Sequence, residues 1–435
     1  MSRNSSLVLN NAMETIQWFV FLLANAVALP IVIGAIFELN FVEISELMQR
    51  TFFVVGLASL LQGWIGHRLP IMEGPAGLWI SIFTVMAYTG VHAGDSYREV
   101  LQVLQGTMIW TGIFLLLFGL FRLSHRVLFV FTPFVTGAFL FLLTVQLSGT
   151  FLQGMLGIDG GEQQIESTGA IIAFVTVLLV LGLSIAGRGW VKSFAVLIGI
   201  VMGWVLYVIV AGGGSGGGQA GGGFSLPEVF AWGAPVFSLN TIPLAFMIAV
   251  ILLSNLVASV VAVTETIHGK ATYTYAQINR GSSFMGINHG LAALFSSIAN
   301  VSMASSSGFM QLTGQKRKAP FLYAAALLIL VSFFPSIVAF ISGIPKPVAN
   351  AALLATFIQL MGLGLSNMTS ERLDERRLMI LGISFSIGIG LMFLPSSVFA
   401  GMPAMAQNLL SNGLLVGTIL VILLDQLWKE SNRTA

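Results

Sequence analysis

The chain has 435 residues, 56% of them hydrophobic and only 8% charged, and its mean hydropathy is +0.92. Soluble domains carry about 25% charged residues, so this chain cannot cover a water-facing surface and is expected to be an integral membrane protein. The formal charge of +2 points to no nucleic-acid partner, and the absence of cysteine excludes disulfides, thiolate metal sites and cysteine nucleophiles.

The opening stretch, MSRNSSLVLNNAMETI, lacks the charge, apolar core and small-residue cleavage pattern of a secretory signal peptide. A spanning helix takes about 20 apolar residues. In chain order the predicted spans are 16–37, 47–66, 71–90, 100–121, 127–147, 168–187, 190–211, 241–267, 283–299, 300–313, 320–342, 348–369, 377–399 and 411–428. The fold expected is an all-α membrane protein of about fourteen segments. With both termini in the cytoplasm, the inner loops hold sixteen of the nineteen basic residues, and only Arg50, Arg98 and Lys346 fall outside. That bias obeys the positive-inside rule and supports the count.

After the seventh segment comes GGGSGGGQAGGG, residues 212–223. A phosphate-cradling loop would continue into Gly-Lys-Ser/Thr and a helix; this one does not, and it reads as a flexible linker. The chain therefore divides into a first repeat, 1–211, an outer linker, 212–240, and a second repeat, 241–435. Seven is odd, so the second repeat must be inserted upside down relative to the first, a recurring plan of secondary transporters. The third and tenth segments correspond, and both are broken. One is LPIMEGPAGLWISIF, 69–83, with Gly74, Pro75 and Gly77; the other is NVSMASSSGFMQLTG, 300–314, with three serines and Gly308. Non-helical backbone survives at membrane depth only beside protein or a water-filled cavity. Paired breaks point to a substrate site near the midplane.

Polar residues inside these spans are the candidates for that site. Asn25 is a lone amide in the first helix, either bonding a neighbouring helix or lining the site. Glu73 is a carboxylate inside a broken segment, a site group or a partner of Arg68 at the inner face. Trp79 either packs or stacks on a planar ligand. Glu265 ends a run whose only charge from Phe224 to Val263 is Glu228. A carboxylate at a bilayer centre costs roughly 2.5–3.5 kcal/mol on insertion scales, so Glu265 is either functional, and then a plausible proton carrier, or a helix-end group reaching the inner interface. His268, followed at once by Lys270, reads as interfacial. His289 reads as a structural residue near the cytoplasmic start of the ninth segment. Neither an ATP-binding Gly-x4-Gly-Lys-Ser/Thr nor a His-Glu-x-x-His occurs, so the expectation is a transporter driven by a gradient, not an enzyme, with no cofactor.

Four stretches together resemble the nucleobase/ascorbate transporter family, which includes bacterial uracil and xanthine permeases. They are QWFVFLLANAVALP at 17–30, RLPIMEGPAGLW at 68–79, VAVTETIHG at 261–269 and ANVSMASSSGFMQLTG at 299–314, where Asn300, Gly308, Thr313 and Gly314 fit the family's signature. The resemblance covers nearly the whole chain. It implies a core domain of segments 1–4 and 8–11, a gate domain of segments 5–7 and 12–14, and a homodimer in the cell membrane. It also implies a base held between the third and tenth segments. Carried over residue by residue, Glu265 would accept hydrogen bonds from ring N–H groups, the backbone at Ala304 and Ser305 would line the base edge, and the first helix would contribute near Asn25. The family's two third-segment aromatics fall on Gly77 and Trp79. The chain departs from the pattern at Trp18, where the family has His, and at Ser305 and Ser306, where it has Gln/Glu and Asn. A serine cannot bridge two ring atoms as a carboxylate can, and the smaller residue leaves room, so a purine such as guanine, hypoxanthine or xanthine is favoured over uracil. Glu73 is a candidate for the lost second carboxylate. The expected activity is symport of a nucleobase with a proton (or sodium), Glu265 carrying both roles. The rival is an inorganic or organic anion carrier of the same inverted-repeat plan, with the anion at helix N-termini.

Overall fold

The computed structural model describes residues 2–75, 77–124, 132–158, 165–188, 190–193, 195–212, 223–270, 272–370, 372–399, 401, 402, 406, 410 and 413–428. Most of the glycine run of the linker lies outside them. The first half contains α1 (Ser2–Ile36), α2 (Phe41–Trp64), β1 (Glu73–Pro75), α3 (Gly77–Ala93), α4 (Tyr97–Leu120), α5 (Pro133–Leu156), α6 (Ser167–Ala186), α7 (Trp190–Ser193) and α8 (Ala195–Ala211). The second contains α9 (Ile242–His268), α10 (Tyr275–Leu294), β2 (Asn300–Ser302), α11 (Ser305–Thr313), α12 (Lys318–Ser332), α13 (Pro335–Ser342), α14 (Lys346–Met368), α15 (Glu375–Met392) and α16 (Gly413–Leu427). Among the described residues, seven helices are long and apolar enough to cross a membrane, or eight if α12 and α13, bent by 95° at their break, form one span. The other expected segments are shorter or broken or, like α10 and α15, long enough but more polar, so helix length and hydropathy alone do not give fourteen.

The two halves repeat each other in their packing. α4 packs along α10, and α12, seven segments after α4, packs along α2. α1 packs on α12 as α9 packs on α4, and α6 on α8 as α15 on α16. The pairs α5–α14 and β1–β2 map onto themselves, and β1 and β2 are antiparallel, as two oppositely inserted halves require. Glycines open the closest seams: Gly112 meets the Gly286 carbonyl between α4 and α10, and Gly137 meets the Gly364 carbonyl between α5 and α14. Without a hydrophobic drive between helices in lipid, such close approach and its dispersion contacts hold helix pairs together. The main packing falls into two sets, α1–α4 with α9–α13 and α5–α8 with α14–α16. Contacts between the sets include α1–α14, α3–α5 and α7–α11, and Thr136 and Ser254 share a hydrogen bond of 3.2 Å between α5 and α9.

Two expectations are corrected here. α2 starts six residues before the expected position because Asn40 and Glu43 form a capping box: Asn40 Oδ1 accepts from the Val42 and Glu43 amides, and Glu43 accepts from the Asn40 amide. Arg50 is therefore inside a helix instead of in an outer loop, and its buried Nε donates to the Ser296 carbonyl at 3.2 Å. α10 starts at Tyr275, capped by Thr274, so His289 lies in the far half of that helix and not near its cytoplasmic start. The polar run 275–283 hid this turn because its polar groups face protein: Gln277 donates to the His67 carbonyl, Gln62 to the Gly281 carbonyl and Ser282 to the Leu115 carbonyl. The flexible-linker expectation for 212–223 falls almost wholly outside the described residues, but the linker beyond it is pinned. The Trp232 amide donates to Ser296 Oγ, Gln102 donates to the Trp232 carbonyl, and the Trp232 side chain is buried.

Candidate functional site

The site is built where the broken segments cross. Pro75 has no N–H to donate, and a Cβ on Gly74 would run into the Met303 side chain, so this sequence stays extended and admits the other half close by. Register pairs Glu73 with Ser302, Gly74 with Val301 and Pro75 with Asn300. The Met303 amide donates to the Met72 carbonyl at 2.9 Å, continuing the pairing. Side chains complete the backbone bonding that lipid cannot provide. The Glu73 amide donates to Ser59 Oγ at 2.9 Å, and the Met72 amide to Ser306 Oγ at 3.0 Å. Asn255 Nδ2 and Ser259 Oγ, one turn apart on α9, both donate to the Ser302 carbonyl at 2.8 Å. α3 and α11 begin just beyond the strands, so two half-helices start from this crossing.

Glu265 lies in the last turn of α9, whose end is set by Gly269 in the left-handed region at φ 74°. It is six residues past Ser259, ~9 Å along the helix from the crossing. Its side chain is exposed and has no hydrogen bond or ion pair among the described residues. It stands beside the first turn of α11, because its neighbour Thr266 shares a hydrogen bond of 2.8 Å with Ser307. Ser305, first residue of α11, is exposed as well, Ala304 is half-buried, and no side chain caps that helix. The ends of α9 and α11 that this bond joins are the mouth: Glu265 on one is a carboxylate able to accept from N–H groups, and the uncapped start of the other can offer backbone donors.

The remaining candidates lie elsewhere. Glu73 is fully buried in the crossing, and its partner is His67 and not Arg68. Trp79 is also fully buried; its Nε1–H donates to His289 Nε2 at 3.3 Å, while His289 Nδ1–H donates to the Met285 carbonyl at 2.9 Å. That arrangement leaves Trp79 no free face for a stacked ring and gives His289 the structural role expected of it. Asn25 is half-buried and donates to its own helix at the Phe21 carbonyl. Gly77 is the first residue of α3. Trp18 packs between Phe309 and Phe321, with ring centroids 4.5 and 5.1 Å away. Ser306 is a lock between the halves. Sequence reasoning missed His67, Ser59 and Ser302; the one available signal was His67 six residues before Glu73, and strand register supplies the rest.

Residues 11–397 match the Permease family. A Bacillus subtilis (strain 168) protein named "Putative purine permease YwdJ" is 31% identical over 421 residues, which cover 95% of this chain and 96% of its relative. "Xanthine permease" of the same strain is 24% identical, covering 94% and 92%. "Uric acid transporter UacT" of Escherichia coli (strain K12) is 23% identical, covering 94% and 84%. Among solved structures, the transmembrane domain of the cyanobacterial bicarbonate transporter BicA is similar with a TM-score of 0.63 at 16% identity, covering 95% of this chain and 97% of that one. SLC26A9 reaches 0.63 at 13% identity, covering 98% and 66%. At such identities the likeness is one of fold.

Proposed function

This chain belongs to the permease family that its residues match, the nucleobase/ascorbate transporters, and on that premise we propose that it imports a nucleobase by symport with a proton. The observation that carries this reading is the mouth beside the crossing, where Glu265, exposed and unpaired among the described residues, stands against the uncapped start of α11. Glu265 accepts hydrogen bonds from ring N–H groups, and the backbone at Ala304 and Ser305 contacts the base edge. Ser305 is small, which favours a purine over uracil. The relatives named for purine, xanthine and uric acid support the same preference. Among the polar groups at the mouth, Glu265 is the carboxylate, and it is exposed to solution.

Alternating access follows if α1–α4 with α9–α13 form a core that moves against a gate of α5–α8 with α14–α16, in a homodimer whose chain termini are cytoplasmic. One charge moving down 100 mV yields about 2.3 kcal/mol, enough for roughly fifty-fold accumulation. The fold is shared with a bicarbonate transporter, but a carboxylate at the mouth repels a small anion that has no ring N–H to donate to it, so carriage of an inorganic anion is disfavoured. The test is uptake of radiolabelled guanine, hypoxanthine, xanthine, uric acid and uracil into cells lacking their own permeases, for wild type and Glu265→Gln at pH 5.5 and 7.5. Accumulation of a purine that rises at low pH and is lost in the variant is the expected result. Unchanged uptake by Glu265→Gln makes that carboxylate an interfacial anchor, and accumulation of no base by wild type removes the nucleobase reading.

A further inference from the structure

Base recognition at the mouth leaves one buried carboxylate unused. Glu73 sits at the crossing with 0% exposure, and its two oxygens have unequal surroundings. Oε1 accepts from the Ser302 hydroxyl at 2.5 Å and lies 3.4 Å from His67 Nε2. Oε2 is buried and has no hydrogen-bond partner among the described residues. The chain fixes the tautomer of His67. The Leu69 amide donates to Nδ1 at 3.1 Å, so the ring proton is on Nε2 and points at Glu73. Nδ1 is thus engaged by that amide, and His67 faces the carboxylate as a donor. Two donors converge on Oε1, and Oε2 is the oxygen left open to a proton.

The ionisable groups on the elements packed around β1 and β2 are otherwise placed. α1 carries Glu14, paired with Arg317; α2 carries Glu43, Glu46 and Arg50, the last bonded to Ser296. α9 carries Glu265 and His268 at its far end, and α10 carries Arg280 and His289, the latter bonded to Trp79. Among the described residues only His67 comes within ion-pair distance of Glu73. A carboxylate held by neutral donors has a charge that one proton cancels, unlike a carboxylate fixed to an arginine. Its placement also couples it to the mouth: Ser302 belongs to β2, and its carbonyl is held by Asn255 and Ser259 of α9, the helix that ends in Glu265.

We propose that Glu73 carries the coupling proton on Oε2, with His67 and Ser302 as positioning residues that hold the carboxylate across the two halves. The inference rests on the symport reading, keeps Glu265 as the base acceptor and moves the proton to Glu73. The step is a proton transfer: an O–H bond forms at Oε2 as hydronium outside becomes water, and the neutral acid later gives that proton to water inside, restoring the carboxylate.

The test uses the purified full chain in liposomes, with the base that wild type takes up, and compares wild type, Glu73→Gln and Glu73→Asp. Counterflow, in which labelled base exchanges for preloaded unlabelled base, needs no net proton movement; gradient-driven accumulation does. Glu73→Gln is expected to keep counterflow, to let its accumulation ratio fall from roughly fifty-fold at 100 mV to about one, and to lose its response between pH 5.5 and 7.5. Glu73→Asp is expected to regain pH-dependent accumulation. Glu73→Gln accumulating as wild type does overturns the inference, as does accumulation that follows a sodium gradient at constant pH. Loss of counterflow in both variants assigns Glu73 to structure and overturns it too. Wild type that shows neither counterflow nor accumulation of any base overturns the symport reading itself, and this inference with it.

Discussion

Gly286 and Gly290 lie one turn apart on α10 and are expected to respond to alanine in opposite directions. At Gly286 the new Cβ would meet the Gly112 carbonyl oxygen at 2.5 Å and the Leu116 amide nitrogen at 2.7 Å. Both are backbone atoms, which cannot rotate aside, so α4 and α10 must part by about 0.5–1 Å to restore ordinary contact. Overpacking of this kind costs about 1–3 kcal/mol, against a gain of about 1 kcal/mol because alanine is the better helix former. The expected net loss is therefore up to about 2 kcal/mol. At Gly290 a Cβ meets nothing within 4 Å, so only the gain of up to ~1 kcal/mol remains. Thermal unfolding of the two purified variants in one detergent should place Gly290→Ala about 2–5 °C above Gly286→Ala, with wild type between them. Uptake should fall only for Gly286→Ala, because α10 leads into β2 and carries His289. Equal midpoints, or the reverse order, would refute the close seam between the two halves.

Two further outcomes follow from the crossing and the linker. Asn255 and Ser259 donate to the same Ser302 carbonyl, so each single alanine variant should cost about 1 kcal/mol or less, while the double variant leaves that buried carbonyl unsatisfied and costs about 1–3 kcal/mol more than the sum; additive melting shifts would contradict the shared acceptor. Trp232→Ala removes the buried anchor of the described linker, and loss of about 3–5 kcal/mol of local packing should make residues 224–240 cleavable by protease added from outside, with cleavage no faster than wild type as the contrary result.

Much of this protein was legible in the sequence, and the reasons are local. Hydropathy sums residue by residue, so composition alone placed the chain in a membrane. Gly74 and Pro75 break a helix wherever they stand, so the defect in the first half could be read without coordinates; in the second half the extended stretch is Asn300–Ser302, while Ser305, Ser306, Ser307 and Gly308, which had marked the break, lie inside α11. The ordered match of four motifs led to the family. Boundaries were less legible where polar groups served other helices: the start of α10 looked like a loop because Gln277 and Ser282 bond neighbouring backbone.

Partners were decided by tertiary structure. Glu73 meets Ser302 across 229 residues of chain, and no local rule gives that register; a slip of one residue would turn each side chain to the opposite face. The same register makes Ser306 a lock on Met72, and the docking of α3 against α10 buries Trp79 on His289. Glu73 and Glu265 look alike in the sequence, two carboxylates in apolar runs. Their surroundings separate only because the antiparallel crossing encloses one, while the other stands ~9 Å along α9 from the crossing, exposed where the helix ends.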